Sequence, residues 1–182
     1  MGAMTIEAMG LANLTHKVVV GIADMAVSNN GTVTLATHAL GSCIGLAAFD
    51  PVAKVGGLLH YMLPVCSIDM AKAKTQPYMF GDSGIAGLFR SAYELGAQKH
   101  RIILCAAGGS QVMDASGVFN IGRRNYDILK QITQEHGLKI TAEHVGGTVS
   151  RTMYLHVGSG EVRIRISGQA EEIILCKQSK NS

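Results

Sequence analysis

The sequence predicts an α+β domain built from mixed β-sheets covered by two main helices. Three observations support this. Short apolar, β-branched runs recur along the 182 residues. Only two stretches carry a helical apolar stripe with stop signals. The order is strands, helix, strand, helix, strands, without the regular βαβ alternation of a doubly wound fold.

Lys17 to Ile22 (KVVVGI) reads as a buried strand, and Asn29-Asn30-Gly31 as a turn. Thr32 to Ala36 alternates and is β-branched, so it is expected to pair across that turn as a hairpin. Gly41-Ser42-Cys43 forms a small-residue bend. Ile44 to Phe49 is a strand stopped by Asp50-Pro51, and Val55 to Leu63 is the next, ending at Pro64. Val65 to Pro77 is irregular and polar, a candidate flap. Asp82-Ser83 are expected N-caps of a helix whose apolar positions are Ile85, Leu88, Phe89, Ala92 and Leu95, and Gly96 stops it. Arg101 to Ala106 is a buried strand ending in Gly108-Gly109. A second helix is expected from about Ile121 to His136, with Gly137 as its stop. Leu138–His144, Met153–Val157, Glu161–Ile166 and Ile173–Cys176 complete the strands.

The expected organisation is a mobile lead-in over 1–16, one domain over 17–176 and a polar tail over 177–182. Nearly half the residues are apolar (47%) and only 16% are charged, which excludes a largely disordered chain. The formal charge of +3 comes without a Lys/Arg block, and aromatics are 5% with no Trp. A nucleic-acid surface would need clustered cations and stacking rings, so none is expected. No apolar run reaches the ~18–20 residues of a membrane span. Cys43, Cys66, Cys105 and Cys176 lack disulfide-framework spacing, which fits a reducing, cytoplasmic setting. No C-x-x-C or H-E-x-x-H pair occurs, so no zinc site is expected.

Chemistry concentrates on Leu40-Gly41-Ser42-Cys43-Ile44-Gly45. A bend of small residues presents a thiol at the rim of an apolar run. Nucleophilic catalysis by cysteine needs such a sulfur, a nearby base, and backbone N–H groups facing the reacting carbonyl. If Ile44–Phe49 and Val55–Leu63 are antiparallel neighbours around Asp50-Pro51, their far ends meet and His60 comes to the edge where Cys43 lies. The imidazole could then take the thiol proton or pair with the thiolate. The Thr37 hydroxyl could accept from, and so orient, the other imidazole N–H; an ordinary strand threonine is the alternative. His38 competes with His60 as base. The N–H groups of Ser42 and Cys43 are oxyanion candidates. Met62, Gly108 and Gly109 are candidate walls of a substrate groove. Gly41–Gly45 also matches G-x-C-x-G, but Pro51 leaves little room for the helix that a nucleophile elbow requires. Arg123-Arg124 reads as a solvated pair.

These motifs also resemble a known family. Leu40–Cys43, Asp50-Pro51, Gly56-Gly57-Leu58-Leu59-His60-Tyr61-Met62-Leu63-Pro64, Gly108-Gly109, Ile121-Gly122-Arg123-Arg124-Asn125 and Val145-Gly146-Gly147 occur in the order seen in CheD-type chemoreceptor glutamine deamidases. They span about Val18 to Ile166. The resemblance implies a fold similar to the catalytic domain of cytotoxic necrotizing factor toxins, with Cys43, His60 and Thr37 as the catalytic residues. It implies hydrolysis of glutamine side chains on methyl-accepting chemoreceptors in bacterial chemotaxis, through a thioester and without a cofactor. It also implies a CheC-type phosphatase as partner. Alternatives are another cysteine hydrolase (a receptor methylesterase or an acyl transferase) and a non-enzymatic docking module that regulates the phosphatase. Ser110-Gln111-Val112-Met113 and Gly146-Gly147-Thr148-Val149-Ser150-Arg151 depart from the family pattern.

Overall fold

The computed structural model describes residues 16–111 and 120–178. The expected lead-in as far as residue 15, the tail from 179, and Val112-Met113 of the departing segment lie outside them.

The described residues form two five-stranded mixed sheets and a helical layer. The strands are β1 (His16–Val19), β2 (Asp24–Ser28), β3 (Val33–Leu40), β4 (Ile44–Asp50), β5 (Val55–Tyr61), β6 (Ile103–Gly108), β7 (Ile140–Val145), β8 (Arg151–His156), β9 (Glu161–Ile166) and β10 (Glu172–Cys176). The helices are α1 (Met70–Thr75), α2 (Gly81–Glu94) and α3 (Ile121–Glu135). One sheet has the order β1-β3-β8-β9-β10 and the other β2-β5-β4-β6-β7. β1 with β3 and β6 with β7 run parallel, and the remaining pairs are antiparallel. The expected α+β class of mixed sheets with two main helices is what forms.

Strand alternation builds two cores. In β4, Ala47 and Phe49 join Leu35, Leu58, Met153, Leu155 and Ile164 between the sheets. The intervening Ile44, Leu46 and Ala48 join Leu59, Tyr61, Ile85, Leu88 and Leu129 beneath the helices. β4 and β5 are buried along their whole length, because one face meets a sheet and the other meets helices.

Several expectations need correction. β1 is exposed throughout, and it pairs in parallel with β3 rather than across a hairpin. The Asn29-Asn30-Gly31 turn instead joins β2 to β3, and these strands enter different sheets. Asp82 and Ser83 lie inside the first turn of α2, after the N-cap Phe80. Their side chains are used nearby: Asp82 Oδ2 accepts from Cys66 N at 3.0 Å, and Ser83 Oγ donates to Pro77 O. The expected flap contains a 3-10 turn over Cys66–Ile68 followed by α1, whose N-cap Asp69 accepts from Lys72 N. β5 ends at Tyr61, two residues earlier than expected.

Candidate active site

Register places the thiol and imidazole on one face. Gly45 pairs with His60 across β4 and β5, so the two project to the same side. Cys43 precedes Gly45 by two residues and packs against the inter-sheet core, which makes it the diagonal neighbour of His60. Gly45 keeps the intervening space open. A Cβ there would lie 2.7 Å from Leu40 Cδ1. Thr37 reaches the same layer from β3, on the face that also carries Leu35.

The hydrogen bonds define the imidazole. Thr37 Oγ1 lies 2.8 Å from Val20 O and 2.7 Å from His60 Nδ1. A carbonyl oxygen only accepts, so the single hydroxyl proton goes to Val20. Oγ1 therefore accepts from Nδ1–H, and the lone pair of the ring resides on Nε2. Nε2 is buried and has no hydrogen-bond partner among the described residues, Cys43 Sγ included. The His60 backbone is pinned by Ala23 N, which donates to His60 O at 2.9 Å.

The Cys43 thiol and the His60 imidazole both favour their neutral forms. Burial draws His60 down to about 4 and pushes the Cys43 thiol up, its own backbone N–H opposing that rise. Of the two modes open from sequence, proton abstraction by a neutral imidazole fits these shifts, and a preformed thiolate–imidazolium pair does not.

The bend is held by its carbonyls. Gly109 N donates to Cys43 O and Ser110 N to Gly41 O, each at 2.8 Å. The N–H groups of Ser42 and Cys43 donate to no other residue among those described. Gly108 is obligatory: its φ is +112°, and a Cβ would stand 2.1 Å from Cys43 O. The first turn of α3 seats on this loop through Gly122, where a Cβ would lie 2.5 Å from Ser110 O. Arg151 braces the other side. It is buried, and it donates to Ser110 Oγ, to His144 Nδ1 at 2.8 Å and to Gly146 O at 2.7 Å.

Asn125 belongs to the Ile121–Asn125 motif, whose sequence carries no signal of its role. It is fully buried on α3, and its Nδ2 donates to Ser42 O and Met62 O, both at 2.9 Å. His38 does not join the cluster. Its Nδ1 lies 3.3 Å from Thr152 Oγ1, and its ring meets Tyr154 edge-on. Met62 is half-buried just beyond β5. Gly108 and Gly109 hold the bend by backbone contact. Gly109 also lines a cavity of about 380 Å³ with Tyr126, Val145 and Gly146, and neither Cys43 nor His60 borders it. Arg123 is exposed and pairs with Asp127 at 3.0 Å, as expected of a solvated pair. No group of three or more His, Cys, Asp or Glu suited to a metal occurs among the described residues.

The site therefore defines a class: a two-sheet α+β protein with a thiol at the rim of its inter-sheet layer, beside a hydroxyl-oriented imidazole. Comparison with known proteins then gives the family. Residues 62–166 match the family model for CheD, described as chemotactic sensory transduction. A "Probable chemoreceptor glutamine deamidase CheD" of Solibacter usitatus is 46% identical over 87% of this chain and 94% of that protein. The similarly named CheD 1 of Syntrophus aciditrophicus is 46% identical over 83% of this chain and 94% of its own. A relative of Pyrococcus abyssi with the same probable deamidase name is 37% identical over 87% and 98%. The chain belongs to the CheD family.

Proposed function

We propose that this protein hydrolyses selected glutamine side chains of chemoreceptors to glutamate, releasing ammonia, with Cys43 as nucleophile and His60 as base and acid. The observation that carries this reading is the tautomer of His60. Thr37 takes Nδ1–H and leaves the Nε2 lone pair on the face shared with Cys43. Membership of a family whose named relatives are deamidases supports the substrate.

Cys43 Sγ closes on Nε2, a contact not made at rest, and gives up its proton as sulfur attacks the carboxamide carbon. The oxyanion is held by the N–H groups of Ser42 and Cys43, an effect worth about 3–4 kcal/mol per donor in comparable sites. The imidazolium passes its proton to the departing nitrogen, the C–N bond breaks, and ammonia leaves a thioester. Nε2 then takes a proton from water as hydroxide adds to the thioester carbon, the C–S bond breaks to release glutamate, and the thiolate recovers its proton from the imidazolium. No cofactor enters the cycle. A glutamine on a helix surface needs an open groove, for which Met62 and the Gly108–Gly109 turn are the proposed walls. No helix among the described residues is long and apolar enough to cross a membrane. The reading places the protein in the cytoplasm with the receptor's signalling helices. Family resemblance adds a CheC-type phosphatase as partner.

Incubation with the cytoplasmic fragment of a chemoreceptor tests this. The expected result is a gain of one dalton per modified glutamine, with stoichiometric ammonia. Methanol release from methylated receptor without any ammonia would replace deamidation by esterase activity. No change in the receptor at all, with retained effects on the phosphatase, would leave a docking role.

A further inference from the structure

Residue 125 grips both halves of the site. Its side-chain Nδ2 bridges Ser42 O, in the nucleophile's bend, and Met62 O, two residues past the base. Its backbone carbonyl accepts from Tyr61 Oη at 2.6 Å. Tyr61 is fully buried beside His60 in sequence, and burial, then the nearby Cys43, pushes its phenol well above the usual value. It stays a donor. The orientation of the Asn125 amide follows from its neighbours, because the reverse placement would set Oδ1 against two carbonyl oxygens. Oδ1 is left buried without a partner among the described residues. Leaving a buried acceptor unsatisfied is unfavourable, so the bridge is formed at the expense of local stability.

We infer that Asn125 is a positioning residue for the thiol–imidazole pair: its amide locks the Ser42–Cys43 bend to the end of β5 and so sets the approach of Cys43 to His60. The inference rests on the Cys43–His60 reading above. The Ile121–Asn125 motif gains a physical purpose. Gly122 lets α3 approach the 108–110 turn, and Asn125, one turn later, reaches the strand ends beneath it.

A double-mutant cycle tests the bridge. Iodoacetamide alkylation of Cys43 is measured by peptide mass spectrometry in the parent and in Asn125→Ala, each with and without His60→Gln, alongside thermal melts. In the parent, His60→Gln slows alkylation severalfold. In Asn125→Ala the same change is expected to act within about twofold. The shape-conserving Asn125→Asp serves where the alanine variant does not fold. Its dependence on His60 should recover as pH falls and the carboxyl regains one donor. On a receptor fragment, kcat falls about 10²-fold with KM unchanged. Undiminished coupling in a folded Asn125 variant overturns the inference and leaves the reading intact. Absence of coupling in the parent overturns the reading, and the inference with it.

Discussion

Thr37 Oγ1 accepts from His60 Nδ1 at 2.7 Å while donating its only proton to Val20 O at 2.8 Å. The threonine is thus fixed from β1's exit and in turn fixes the base. Thr37→Val keeps the shape but removes the acceptor and leaves Val20 O unpaired. Unfolding in urea should show a loss of about 1–3 kcal/mol, and kcat should fall. Thr37→Ser should retain most of both. A valine variant as active as the parent would remove Thr37 from the proposed chemistry.

Thiol reactivity separates Cys43 from its fellows. Cys105 is buried, and burial followed by the neighbouring Cys176 pushes its thiol up. Cys66 is half-buried and donates to Ser83 Oγ at 3.1 Å. Cys43 is half-buried against the layer in which His60 Nε2 lies buried with no hydrogen-bond partner among the described residues. Iodoacetamide should therefore modify Cys43 fastest of the four, with a rate that drops in His60→Ala. Equal rates at all four would contradict an activated nucleophile.

The buried histidine makes stability depend on pH. His60 is drawn from an ordinary 6.5 to about 4, so the unfolded chain binds this proton more tightly. Stability from this residue is complete above about 6.5 and is lost as pH falls through about 4, amounting to about 3 kcal/mol. Urea titrations from pH 4 to 8 should show a shallower acid slope in His60→Gln than in the parent. Parallel slopes would mean that His60 is protonated as readily in the fold as outside it.

Asp50 acts at the opposite end of the same hairpin. Burial alone would raise its carboxyl, but Arg101 and the N–H groups of Gln98, Ala53 and Val52 together hold it down to about 2. Arg101 Nη2 lies 2.8 Å away. Asp50→Asn removes the ion pair, while Arg101 keeps Gly96 O as an acceptor, and should cost about 1–3 kcal/mol near neutrality. The parent's contribution from Asp50 should disappear as pH drops from about 3.8 through about 2. Differential scanning calorimetry across that range reads both effects.

The legible part of the sequence was local. Asp50-Pro51 between two apolar runs announced the β4–β5 hairpin, and that hairpin carries Cys43 and His60 to one edge. Which residues of β4 share a face was not legible, because its run is apolar throughout and both faces are buried. The opening strands were misread because β2 (DMAVS) is weakly β-branched, and because the Asn29-Asn30-Gly31 turn connects strands of different sheets. A turn signal reports reversal of the chain, not which strand receives it. Phe80 took the cap of α2 because Asp82 and Ser83 were engaged by Cys66 and Pro77. Asn125 could be seen only as a motif, since its bonds to Ser42 and Met62 cross 83 and 63 positions and leave no periodic trace.

In the proposed reaction, sulfur and imidazole act on one carboxamide. Its most direct test is the intact mass of a chemoreceptor fragment after incubation with the parent, Cys43→Ala and His60→Ala, all confirmed folded. A one-dalton gain is expected with the parent and none with either variant. A persistent gain with either variant would contradict it.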